Sequence, residues 1–201
     1  MAWEKAVALD RLERDGRAVA RIGGRQIAMF KTADGILACN NRCPHEGYPL
    51  REGGLDRGCV LTCNWHNWKF DLKTGRNLTG GDALRTYATK VEAGEVWVDI
   101  VEAPAGERQA TALANLREAL EDESYDRIAR ELARFAKAGG DPAAAVAKAI
   151  AWSHERLEYG TTHAYPAAAG WLKLHDESND PEMRLICLVE AIDRKSTRLN
   201  S

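Results

Sequence analysis

The sequence lacks an excess of charge of either sign, and it lacks any long apolar run. Its 201 residues include 28 Lys and Arg against 30 Asp and Glu, which gives a formal net charge of −2 at pH 7. A chain this close to neutrality offers no general electrostatic attraction to nucleic acid or to an anionic membrane, so neither is expected as a partner. No apolar run approaches the roughly 20 residues that a membrane-spanning helix needs.

The first ten residues, MAWEKAVALD, also lack the apolar core of an export signal, because they carry charges there. A cytoplasmic location is therefore expected. Cysteine is scarce and odd in number, with five in the chain. These facts argue against a disulfide framework and for thiols that stay reduced, so metal binding is the chemistry to look for.

The composition changes sharply near residue 103. Of the 17 glycines, 12 precede this point and five follow it, while alanine becomes dense after it. Glycine marks tight turns and alanine is the strongest helix former, so a β-rich half should precede a helical half. We therefore predict an α+β chain of two domains, with a β domain at 1–101, a linker at 102–106 and a helical domain at 107–193.

Short apolar or alternating runs, separated by glycine-containing turns, predict the strands of the first half. They lie at residues 17–22, 26–31, 36–38, 59–62, 69–72, 84–91 and 95–100. Many short strands joined by tight turns are typical of a small antiparallel sandwich or barrel.

The second half is predicted to be a bundle of four or five helices. Apolar residues recur at helical spacing before Gly139, at Leu113, Leu116, Leu120, Ile128, Leu132 and Phe135. Asp141 and Asp180 are each followed by proline, which predicts two further helix starts with aspartate as N-cap. The final stretch, 194–201, resembles a translated sequencing-adapter tail and would leave the helical domain truncated; a natural polar terminus is the alternative.

Two short motifs carry the chemistry of the first half. Cys43-Pro44-His45 and Cys63-Asn64-Trp65-His66 each follow a predicted strand, and 17 residues separate His45 from Cys63. Two thiolates and two imidazoles can hold a zinc ion or a [2Fe–2S] cluster. Structural zinc sites usually pair like ligands, whereas each motif here supplies one cysteine and one histidine. The mixed pairing favours a [2Fe–2S] cluster.

With these motifs the sequence resembles the Rieske ferredoxin family over roughly residues 3–101. The resemblance implies one [2Fe–2S] cluster whose inner iron is bound by Cys43 and Cys63. It implies that His45 and His66 bind the outer iron near the surface. The alternative is an interaction module stabilised by zinc, which would hold if the pairing of one cysteine with one histidine in each motif does not indicate a cluster.

Departures from the family pattern indicate the ferredoxin and oxygenase branch. Tyr48 and Trp65 stand where the respiratory branch has a pair of disulfide-forming cysteines, and Trp68 stands where that branch has a hydroxyl donor. Fewer hydrogen bonds to the cluster imply a potential toward the lower part of the Rieske range, ~−150 to +300 mV. Asn67 replaces a glycine of the family, and asparagine is the residue best able to do so if the backbone there has a positive φ.

Other residues have simpler expected roles. Trp65 and Trp68 flank His66, and we expect packing to be their main role. The remaining cysteines, Cys39, Cys59 and Cys187, lie in apolar runs and are expected to behave as small hydrophobic residues. The helical half contains four candidate metal ligands, His154, Glu158, His163 and His175. Carboxylate-bridged sites in helical bundles use more carboxylates and Glu-x-x-His pairs, which are missing here, so exposed or satisfied side chains are expected.

The resemblance implies a one-electron carrier, an electron-transfer component of an oxidoreductase system. It would accept an electron from a flavoprotein reductase and deliver it to an oxygenase or another oxidoreductase. The alternative is an oxygenase or oxidoreductase subunit whose helical domain contributes the substrate or acceptor site. A Rieske oxygenase carries a much larger catalytic domain, and the residues after Val101 are too few and too helical to match it.

Overall fold

The computed structural model describes residues 1–154 and 164–192. The chain forms two compact units, one that ends at Glu102 and one that begins at Ala103. The predicted polar tail at 194–201 lies outside the described residues. No helix within the described ranges is long and apolar enough to cross a membrane.

The first unit is built from antiparallel strands, as the sequence predicts. The elements are β1 (Trp3–Ala8), α1 (Leu9–Asp15), β2 (Arg17–Ile22), β3 (Arg25–Thr32), β4 (Gly35–Asn40), β5 (Gly54–Leu55), β6 (Val60–Thr62), β7 (Lys69–Asp71), β8 (Thr86–Tyr87), β9 (Thr89–Glu92) and β10 (Glu95–Asp99). The strands form three sheets with the orders β1-β10-β9, β2-β3-β4-β8 and β5-β6-β7.

Three elements of this unit were not predicted from the sequence, namely β1, α1 and β5. The helix α1 has only seven residues, five of them charged, and buries Leu12 alone. Such a short charged segment has no apolar periodicity to detect. The single strand predicted at 84–91 is instead two strands, β8 and β9, which join different sheets.

Strand β3 separates the two hydrophobic cores of the first unit. Ile27 and Met29 point into one core, which also contains Val96 and Val98 of β10. The alternate residues of β3, Ala28 and Phe30, point into the other core, because successive side chains of a strand face opposite sides. That second core also contains four cysteines, at positions 39, 43, 59 and 63. The predicted ligand cysteines are thus part of a packed interior.

The second unit contains five helices within the described residues. They are α2 (Ala105–Glu121), α3 (Tyr125–Lys137), α4 (Pro142–His154), α5 (Ala164–Glu177) and α6 (Pro181–Glu190). The linker predicted at 102–106 stays a prediction; α2 already begins inside that range. One core cluster contains most of the apolar residues predicted at helical spacing: Leu116, Leu120, Ile128, Leu132 and Phe135.

Both predicted N-caps are confirmed. The Asp141 side chain accepts a hydrogen bond from the Ala143 N–H at 3.0 Å. The Asp180 side chain accepts one from the Glu182 N–H at 3.0 Å, with Pro181 at the first position of α6. Each cap satisfies one of the four N–H groups that a helix start leaves without a partner inside the helix.

We expect Asp180→Ala to lower the free energy of unfolding of the helical unit by about 1 kcal/mol, because the Glu182 N–H loses its acceptor. Asp180→Ser is the matched control, since serine caps helices about as well as aspartate. Urea unfolding followed by far-ultraviolet circular dichroism measures the effect. Equal stability of both variants would contradict the capping role.

Candidate metal centre

The first motif lies in a loop that closes on itself through its own backbone. The Cys43 N–H donates to the Tyr48 carbonyl oxygen at 2.9 Å, and the Gly47 N–H donates to the Cys43 carbonyl oxygen at 2.8 Å. Gly47 has a φ of +79°, a conformation in which a residue with a side chain is strained. The loop thus reverses direction within a few residues and turns His45 toward the second loop.

The second motif repeats this design. The Cys63 N–H donates to the Trp68 carbonyl oxygen at 2.8 Å, and the Asn67 N–H donates to the Cys63 carbonyl oxygen at 3.0 Å. Asn67 has a φ of +58° and stands four positions after its cysteine, as Gly47 does in the first loop. Asparagine is among the residues that tolerate this conformation best. The sequence-based expectation for Asn67 is therefore confirmed.

The two cysteines lie side by side at the buried end of these loops. Cys43 is 3% exposed and Cys63 is 1% exposed, and the two thiol groups are close enough to interact electrostatically. Burial raises the pKa of the Cys43 thiol to about 11, because an apolar interior disfavours the thiolate. The backbone N–H groups of His45 and Glu46 act in the opposite direction. A Cys43 thiolate at this position therefore requires adjacent positive charge, which a metal supplies.

The two histidines lie at the exposed end. Their Nδ1 atoms approach to 3.0 Å, and the rings meet edge to face at 80° with centroids 4.6 Å apart. The His66 side chain is 38% exposed, and its Nε2 lies 3.9 Å from the Glu46 carboxylate. The Nδ1 atoms of both imidazoles thus point to a common position.

The donor set fits a [2Fe–2S] cluster better than a single zinc ion. Among the described residues, His45, Glu46 and His66 form a group whose possible metal-ligand atoms all lie within 4.8 Å of one another. The two sulfurs are not part of this group. Zinc bonds of about 2.0–2.3 Å would keep all four ligands within about 4.6 Å of one another. A sulfur pair below a nitrogen pair instead matches the two irons of the cluster.

An indole stacks on each imidazole. Trp68 lies parallel to His45, with ring centroids 4.6 Å apart and an interplanar angle of 14°. Trp65 stacks on His66 at 5.0 Å and 21°. Trp68 is partly buried against the core, as expected, whereas Trp65 is 55% exposed and packs on the aromatic rings of His66 and Tyr48. Sequence reasoning also missed the Trp68–His45 stack, because these residues belong to different loops.

The remaining cysteines are buried, in agreement with their expected role as small hydrophobic residues. Burial raises the pKa of the Cys39 thiol to about 12, so the thiol form is favoured over the reactive thiolate. Cys59 has a φ of +65°, and its thiol donates to the Asp34 carboxylate at 3.7 Å. Cys187 is in the helical unit and fully buried.

The candidate ligands of the helical half are only partly described. His175 is buried, and its Nδ1 lies 3.0 Å from the Asp176 carboxylate, so it has a polar partner as expected. Glu158 and His163 lie outside the described residues. The side chain of His154 also falls outside the described part of the structure.

Comparison with known proteins identifies the family. A family model described as the Rieske [2Fe-2S] domain matches residues 2–89. The 3-phenylpropionate/cinnamic acid dioxygenase ferredoxin subunit of Escherichia coli (strain K12) is 37% identical over 79 residues, which cover 38% of this chain and 74% of that protein. The chain therefore belongs to the Rieske family, and its N-terminal domain binds one [2Fe–2S] cluster.

Two further proteins are similar to this part of the chain. The 4beta-methylsterol monooxygenase of Methylococcus capsulatus is 37% identical over 90 residues, and the match spans only 24% of that protein. The ferredoxin of carbazole 1,9a-dioxygenase from Nocardioides aromaticivorans IC177 superposes with a TM-score of 0.45 at 23% identity, covering 49% of this chain and 97% of that one.

The backbone at Asn67 gives a prediction for the second loop. Asn67→Gly should keep the cluster, whereas Asn67→Val should lower both the iron content and the free energy of unfolding, the latter by about 1–3 kcal/mol, because a β-branched residue is strained at positive φ. Iron per chain and urea unfolding measure the two effects. Equal iron content and stability in the two variants would contradict a conformational role for Asn67.

Proposed function

We propose that Cys43 and Cys63 bind the inner iron of the cluster, that His45 and His66 bind the outer iron, and that the chain is a one-electron carrier. The observation that supports this proposal most is the depth of the four side chains. Two adjacent thiols are buried, and two imidazoles with converging Nδ1 atoms lie above them at the surface. The buried end excludes water from the sulfur ligands. The exposed end offers a short path to a partner protein.

The ligand types set the charge of the site. Compared with an all-cysteine cluster, two neutral imidazoles in place of two thiolates remove two negative charges, so the addition of an electron is easier. The bound cluster supplies the one-electron oxidation and reduction. The protein holds the ligands, limits solvent access and presents the His66 edge, 38% exposed, to the outside.

For partners, we propose a flavoprotein reductase as electron donor and an oxygenase as acceptor. The support is the likeness to a ferredoxin subunit of a dioxygenase, of which this chain matches 74%. NADH alone should not reduce the cluster, and addition of a flavoprotein reductase from such a system should bleach its visible absorption. Direct reduction by NADH at the same rate would contradict the proposed donor.

We expect purified protein to contain two irons and two acid-labile sulfides per chain, and to take up one electron in a coulometric titration. Cys43→Ala should abolish cluster binding. Cys39→Ala is the matched control, because Cys39 is buried in the same core but is not a proposed ligand. Retention of iron by Cys43→Ala, or its loss from Cys39→Ala, would contradict the assignment.

A histidine variant tests the proposed division of ligands. His66→Cys should keep the cluster but lower its midpoint potential, because a thiolate adds negative charge where a neutral imidazole stood. Protein-film voltammetry measures the potential, and the iron content shows that the cluster is present. A loaded variant with an unchanged potential would rule out His66 as a ligand.

A further inference from the structure

The two indoles beside the proposed iron ligands have different surroundings. Trp65 covers His66 from the solvent side and is 55% exposed. Trp68 covers His45 from the protein side, where it is partly buried against the core and also contacts Phe70 at 6.3 Å between ring centroids. Only the Trp68 indole is therefore held between an imidazole and the protein interior.

A loop that follows β7 lies against the Trp68 indole. The Asn77 side chain organises this loop: its Nδ2 donates to the Asp82 carbonyl oxygen at 3.1 Å, and its Oδ1 accepts from the Thr79 N–H at 3.0 Å. The Leu78 N–H donates to the Lys69 carbonyl oxygen at 2.7 Å, which fixes the loop to the strand. The loop thus has a defined position relative to residue 68.

Gly81 is the point where this loop meets the indole. A Cβ at Gly81 would lie 2.8 Å from Cη2 of Trp68 and 3.3 Å from Cζ3. The first distance is shorter than real Cβ contacts, so any side chain at this position displaces the indole or the loop. The neighbouring Gly80 has a similar φ, +89° against +97° for Gly81, but has open space around its Cα.

We propose that Trp68 is a positioning residue for His45 and that Gly81 holds the indole in its stacked position. The inference rests on the proposed role of His45 as an iron ligand. The indole fixes the ring plane of His45 and excludes water from one of its faces. Reduction adds negative charge to the site, and water stabilises charge better than an aromatic ring does. Because the indole excludes water, it keeps the midpoint potential of the cluster low.

Four variants separate this role from general effects on folding. Trp68→Leu removes the aromatic face, and Trp68→Phe restores one. Gly81→Ala inserts a methyl group against the indole, and Gly80→Ala is its matched control, because it incurs a similar backbone strain without touching Trp68. Each loaded protein is characterised by its iron content, its midpoint potential and the g values of its reduced electron paramagnetic resonance spectrum.

Trp68→Leu and Gly81→Ala are expected to raise the midpoint potential and to shift the g values, whereas Trp68→Phe and Gly80→Ala should stay close to the unaltered protein. An unchanged potential in Trp68→Leu would overturn the inference, as would equal shifts in Trp68→Leu and Trp68→Phe. A shift in Gly80→Ala as large as that in Gly81→Ala would refute the role of Gly81. If Gly81→Ala fails to fold, the two Trp68 variants decide the question.

This experiment distinguishes the inference from the proposed function on which it rests. Absence of a two-iron cluster from the unaltered protein would refute the proposed function. If the cluster is present but its midpoint potential is unchanged by substitution of Trp68, only the positioning role would be refuted.

Discussion

The centre depends on one backbone constraint that both ligand loops share. In each loop the residue four positions after the cysteine has a positive φ, and its N–H closes a turn onto the cysteine carbonyl oxygen. Glycine meets this constraint at position 47 and asparagine at position 67. Because both loops turn in the same way, they direct one sulfur inward and one imidazole outward each. Metal binding is thus prepared by hydrogen bonds that involve no metal.

The fold anchors these loops through the core beneath them. The proposed ligand cysteines pack with Phe30, Leu61 and Phe70, which come from three strands of two different sheets. Movement of either loop would therefore disturb a packed interior, which has few voids to absorb it. The same burial makes the Cys43 thiolate unfavourable until a metal compensates its negative charge.

Much of this arrangement follows from the sequence because its signals are local. Alternating strands, helix caps at Asp141 and Asp180, and paired Cys and His residues are all visible within short windows. The helix α1 gave no such signal, since its one buried residue, Leu12, has no apolar repeat around it. The stacking of Trp68 on His45 was equally hidden, because it joins loops that are adjacent only after folding. Exposure of Trp65 likewise depends on the surface of the folded loop.

The two ligand loops differ in the spacing between their cysteine and their histidine. His45 comes two residues after its cysteine, whereas His66 comes three residues after its own. The two imidazoles thus come from different positions in their loops, and their rings cross at 80° instead of lying parallel. The two proposed histidine ligands are therefore not equivalent, and the surface around them is asymmetric. A protein that binds to this asymmetric surface can therefore do so in one defined orientation.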